Sequence, residues 1–169
     1  MATRPTTPHP ASEPNHTGGT TATEDDHGHR VPHHPDAERA LIATCLTSTK
    51  ALQHALTTVT PDDLYTPANR RVYAAMSRLH TRGEPIDPIT VAHEVQTGDG
   101  QAGIDPANVT TYLTSLGVTA NSPTYARIVA AMARYRRLLT HAHQLEHAVR
   151  AFDDTAIDQA LDALTKERQ

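Results

Sequence analysis

Apolar residues recur along this chain three or four positions apart, and strand-like alternation is absent. Leu41, Ile42, Cys45 and Leu46 make one face, Leu52 and Leu56 a second, and Val72, Met76 and Leu79 a third. Such periodicity predicts amphipathic helices throughout, an all-α fold. The punctuation agrees. A Ser, Thr or Asp precedes proline at Thr60-Pro61, Thr66-Pro67, Asp87-Pro88, Asp105-Pro106 and Ser122-Pro123. In each pair the first residue can cap orphan backbone amides, and the proline falls at the first helical position, where its missing N–H costs nothing. Thr60 and Asp63 have the spacing of a capping box, and Arg82-Gly83 has the form of a helix stop.

Past that stop the pattern predicts a short helix with Val91 and Val95, a loop from Thr97 to Ile104, and a helix with Val109, Leu113 and Leu116. Ser122 then opens the longest helix, which runs to about Ala151. Its apolar positions are Ile128, Met132, Tyr135, Leu139, Ala142, Leu145, Val149 and Phe152. Asp153-Asp154 breaks the pattern and can cap a last helix striped by Ile157, Leu161 and Leu164. The chain therefore divides into a disordered Pro/Thr/His-rich tail over 1–31, a helical bundle over 32–121 and an antiparallel helical hairpin over 122–169. The tail's large aliphatic residues are Met1 and Val31 alone, too few to offset the entropy of ordering. The hairpin has little core of its own, so Ile128, Met132, Leu139, Leu145, Val149, Ile157, Leu161 and Leu164 are read as a seam completed by a second copy.

Composition narrows the classes. Hydrophobic residues make up 37% and aromatics 4%, so the core is built from aliphatic side chains, as in helical bundles. A net charge of -4 argues against a nonspecific coat for nucleic acid, which needs an excess of Lys and Arg. The single Cys45 lies in an apolar pattern and is read as a buried inert thiol. With neither a signal-like start nor a long apolar span, the sequence suggests a soluble cytoplasmic protein without membrane contact.

LYTPANRRVYAAMSRLHTRGEPID, from Leu64 to Asp87, resembles the most recognisable block of the N-terminal domain of DnaB-type replicative helicases. PHHPDAERALIATCL resembles that family's opening, with Ala37-Glu38-Arg39 starting the first helix and Thr44 where a small residue is expected. Tyr125-Ala126-Arg127-Ile128-Val129 and Tyr135-Arg136-Arg137-Leu138 resemble the start of its hairpin. The likeness extends from about Pro32 to about Arg150. It implies a small bundle followed by a hairpin, with hairpins pairing into dimers, a collar above a motor ring and a contact with primase. The implied partners are a homodimer or higher oligomer and a helicase, primase or loader, with any DNA contact indirect. The motor itself is not expected here. No G-x-x-x-x-G-K-[ST] occurs in the 169 residues, and neither Lys50 nor Lys166 follows a glycine, so ATP hydrolysis by that route is excluded. Because the sequence ends about where the linker to the ATPase would begin, it reads as a free-standing collar domain without enzymatic activity or cofactor.

Several motifs compete with that reading. Tyr125, Arg127, Arg134, Tyr135, Arg136 and Arg137 form a basic, aromatic patch suited to a partner protein, or to phosphate in a DNA-binding regulator. His143, Glu146 and His147 match H-x-x-E-H, an inverted zinc-protease signature, and equally the solvated face of an amphipathic helix. Gly98, Gly100 and Gly103 have dinucleotide-fingerprint spacing but follow a helical pattern where that site needs a strand. His27, His29, His33 and His34 cluster in a segment too polar to fix a metal geometry. Arg70 and Arg71 are expected to pair with Asp62, Asp63 or Glu38.

Overall fold

The computed structural model describes residues 31–98, 106–116 and 122–168. All but the last residue of the predicted tail, most of the Thr97 to Ile104 loop, and with them Gly100, Gly103, His27 and His29, lie outside these residues. The fold described here is that of the compact unit beginning at Pro32. Among the described residues it is helical without strands, as the apolar spacing predicts. Its helices are α1 (Pro35–Thr47), α2 (Thr49–Leu56), α3 (Pro67–Arg82), α4 (Pro88–Gly98), α5 (Pro106–Ser115), α6 (Ser122–Ala151) and α7 (Asp154–Glu167), with a 3₁₀ turn at Pro61–Asp63. No described helix is long and apolar enough to cross a membrane.

Local chemistry sets these limits. His34 caps α1, its Nδ1 accepting from the Ala37 amide at 3.2 Å. Ser48 ends α1 and starts α2, because its amide donates to the Thr44 carbonyl while its hydroxyl accepts from Ala51. That break lets Leu52 and Ala55 face the same core as Leu41 and Ile42. The proline-led starts are realised at the 3₁₀ turn and at α3, α4 and α5, while Ser122 itself begins α6. Asp87 caps α4 through the Ile89 and Thr90 amides, whereas Thr66 makes no side-chain cap. Its place is taken by a carboxylate from another helix. Glu38 of α1 accepts from the Tyr65 amide (2.6 Å), the Thr66 amide (3.2 Å) and Asn69 Nδ2 (2.9 Å). A negative charge is thus held at the N-terminus of α3, where unpaired N–H groups and the helix dipole favour it. Tyr112 of α5 donates to Asn69 Oδ1 and extends the network.

The core joins α1, α2, α3, α4 and α5 to the first half of α6, with Leu41, Ile42, Leu52, Leu64, Tyr73, Met76, Val91 and Val129 fully enclosed. Cys45 is buried there, and desolvation pushes its thiol up to about 12. Thr44 fits at its buried position by turning its hydroxyl to the Ala40 carbonyl at 2.7 Å. Arg78 and Arg82 of α3 both reach Glu94 of α4, and Arg82 also holds Glu84. Hydrogen bonds from Arg82 and then Arg78 hold the Glu94 carboxyl down at about 2, well below the usual carboxylate range.

Candidate protein-docking site

Helix α6 is 30 residues long, about 45 Å, and its two halves serve different neighbours. The first half lays Ala126, Val129 and Ala133 against α1, α2 and the 3₁₀ turn. The second half packs on α7, and Ala148 of α6 and Ala160 of α7 are buried. Asp153 caps α7, accepting from the Ala156 amide at 3.0 Å, as the acidic pair predicts.

Arginines bind this hairpin to the bundle. Arg136 donates to the carbonyls of Pro32 (2.9 Å) and Asp63, and its guanidinium lies 5.5 Å from the centroid of the Tyr65 ring. His33 stacks on that ring at 4.6 Å. Arg137 pairs with Asp63 (2.7 Å) and Glu167 (2.9 Å), and Arg134 donates to the Glu167 carbonyl (2.6 Å). Asp63 also accepts from the Thr60 amide and hydroxyl, so one carboxylate closes the predicted capping box and receives the hairpin. Sequence reasoning named Asp63 and Glu38 as partners within the fold but gave them Arg70 and Arg71, and it missed their long-range roles at Arg137 and at the start of α3. The expected pairing of Arg70 with an acid is corrected: its guanidinium donates to the Leu64 carbonyl at 3.0 Å, because Asp63 and Glu38 are engaged elsewhere.

The remaining sequence candidates separate by exposure. Tyr125 and Ile128 pack partly against the bundle core, while Arg127 is exposed and donates within its own turn to Pro123 and Thr124. Met132, Leu139, Leu145, Ile157 and Leu164 are half-buried. Tyr135 (49% exposed), Val149 (51%) and Leu161 (47%) remain open. On α6, Tyr135, Ala142 and Val149 are seven apart and all exposed, the spacing at which residues align along a helix to meet another helix. His143 and His147 stand one turn apart, with Glu146 turned to Arg150 at 2.6 Å. Among the described residues no group of three or more His, Cys, Asp or Glu is placed to hold a metal.

A helical hairpin clamped to a helical bundle, with an apolar row left open along its long helix, defines the architecture. Comparison with known proteins gives the family. The sequence profile of the DnaB-like helicase N-terminal domain matches residues 30–131, and the chain belongs to that family. It is 34% identical over 116 residues to the replicative DNA helicase DnaB of Mycobacterium leprae, a match covering 68% of this chain and 19% of that protein. It is 33% identical over 115 residues to the replicative DNA helicase DnaC of Bacillus subtilis, covering 66% of this chain and 25% of that one. The chain thus spans about a fifth to a quarter of the curated relatives it matches. The crystal structure of the N-terminal domain of DnaB helicase from Mycobacterium tuberculosis superposes with a TM-score of 0.69 at 28% identity, covering 80% of this chain and 99% of that one. The corresponding domain from Helicobacter pylori, described together with its interactions with primase, shares the fold with a TM-score of 0.60 at 16% identity, covering 68% of this chain and 90% of that one.

Proposed function

We propose that this chain is a self-associating docking domain of DNA replication that binds a replicative helicase, a primase or a helicase loader and neither hydrolyses ATP nor unwinds DNA itself. The observation that carries this reading is the open row Tyr135, Ala142 and Val149 on a helix anchored to its own bundle by Arg136 and Arg137. An apolar row on a rigid support suits a partner helix better than a substrate. The primase contact described for the Helicobacter pylori domain supports a partner of that kind. Tyr135, Arg127, Arg134 and Arg137 are the exposed members of the basic, aromatic patch, and of these Arg134 and Arg137, like the half-buried Arg136, act first as clamps. Those engagements count against the patch as a phosphate-binding surface for DNA. The test is binding of the purified chain to the helicase and primase of the same organism, followed by surface plasmon resonance. Binding weakened by Tyr135→Ala with unchanged thermal stability is expected. Undetectable binding to both, and to the helicase loader of that organism, contradicts the proposal.

A further inference from the structure

Two helices of this chain stop in the same way with different residues at the stop. At the end of α3, the Gly83 amide donates to His80 and the Glu84 amide to Leu79, with Gly83 left-handed at φ 70. At the end of α6, the Phe152 amide donates to Val149 and the Asp153 amide to Ala148, with Phe152 left-handed at φ 53. Both are Schellman stops, in which the left-handed position favours glycine because a Cβ clashes with the backbone there. Phe152 is the one described non-glycine residue at positive φ. Burial does not compensate the strain, since Phe152 is 91% exposed, more than any other large apolar residue described.

Strain kept without burial directs attention to what the side chain meets outside the fold. Val149, one turn back, is open as well, so the hairpin ends in an apolar knob. Its surroundings are acidic: Asp153, Asp154 and Asp158 are exposed, and the neighbouring cation Arg150 is paired with Glu146. Resting on the docking function above, we propose that Phe152 is the anchor of a contact at the hairpin tip, inserting into an apolar socket on a partner protein whose rim carries lysine or arginine. Charge complementarity selects that occupant, because a second copy meeting tip to tip would set like charges against each other.

The test uses the full chain, with the primase, the replicative helicase and the helicase loader of the same organism as separate probes. Phe152→Gly suits the stop and removes the knob, so it should fold at least as well as the parent and bind the probe about thirtyfold more weakly, the scale of an aromatic anchor. Asp154→Asn with Asp158→Asn should weaken binding mainly at low salt. Parent-like binding of Phe152→Gly to a probe the parent binds overturns the anchor and leaves the docking function standing. Loss of self-association in Phe152→Gly overturns the proposed occupant and gives the tip to a second copy. Failure of the parent to bind any of the three probes overturns both readings.

Discussion

Replacing Glu38 by glutamine tests the joint between α1 and α3 with almost no change of shape. The side chain is 2% exposed, and its two oxygens accept three hydrogen bonds, from the Tyr65 amide, the Thr66 amide and Asn69 Nδ2. Glutamine keeps one oxygen and turns the other into a donor, which then faces a donor. If its nitrogen takes the first oxygen's place, the Tyr65 amide loses its partner. If it takes the second, the Thr66 amide does, and Asn69 must flip against the bond it accepts from Tyr112. Either way a buried amide is orphaned at about 1–3 kcal/mol, and the negative charge at the start of α3 is lost for roughly 1 kcal/mol more. The expected destabilisation is therefore about 2–4 kcal/mol, a fall in Tm of roughly 10 °C for a domain of this size. Urea unfolding followed by circular dichroism measures it, with Glu146→Gln as a control that should shift stability by less than about 0.5 kcal/mol, since its pair is exposed. A Glu38→Gln protein within about 0.5 kcal/mol of the parent would refute the reasoning, because no orphaned buried donor is that cheap.

Glu94 predicts an acid response. Its folded pKa is depressed, so its contribution is present above the ordinary 4.5 and is lost as pH falls towards about 2. Thermal melts over that window should show Tm dropping with acid, less steeply in Glu94→Gln, and equal slopes would contradict the Arg78–Glu94–Arg82 account. Cys45, enclosed and with its thiol pushed up to about 12, should resist alkylation at neutral pH in the native protein and label at once in urea. Phe152→Gly should stabilise the chain by about 1 kcal/mol in urea titration through relief of left-handed strain.

How much of this was legible depends on the range of each interaction. The helices could be read because their signals are local: proline at the first position of α3 and α4, Gly83 after Arg82, Asp153 before the last stripe, and apolar spacing between them. The hairpin followed from the unbroken pattern of α6. The joints could not be read in that way. Glu38 meets α3 about thirty residues along, and Asp63 meets Arg137 more than seventy along, so neither pairing leaves a mark in spacing. The same blindness made Arg136 and Arg137 look like free surface charge, because arginine on a polar face reads alike whether water or a distant carbonyl receives it. Phe152 was hidden for another reason. Its spacing places it in the apolar row of α6, and although the end of that helix near Ala151 could be read, only the backbone reveals a left-handed Phe152 with the ring turned outward.

The open row on α6 carries the proposed function, and the mass of the chain in solution tests it most directly. Multi-angle light scattering on the purified protein at high micromolar concentration should give at least twice the 18.3 kDa of one chain, and Ala142→Glu, placed at an exposed position in the middle of the row, should return it to a single chain with its Tm unchanged. A parent protein that stays at 18.3 kDa under those conditions would contradict the account.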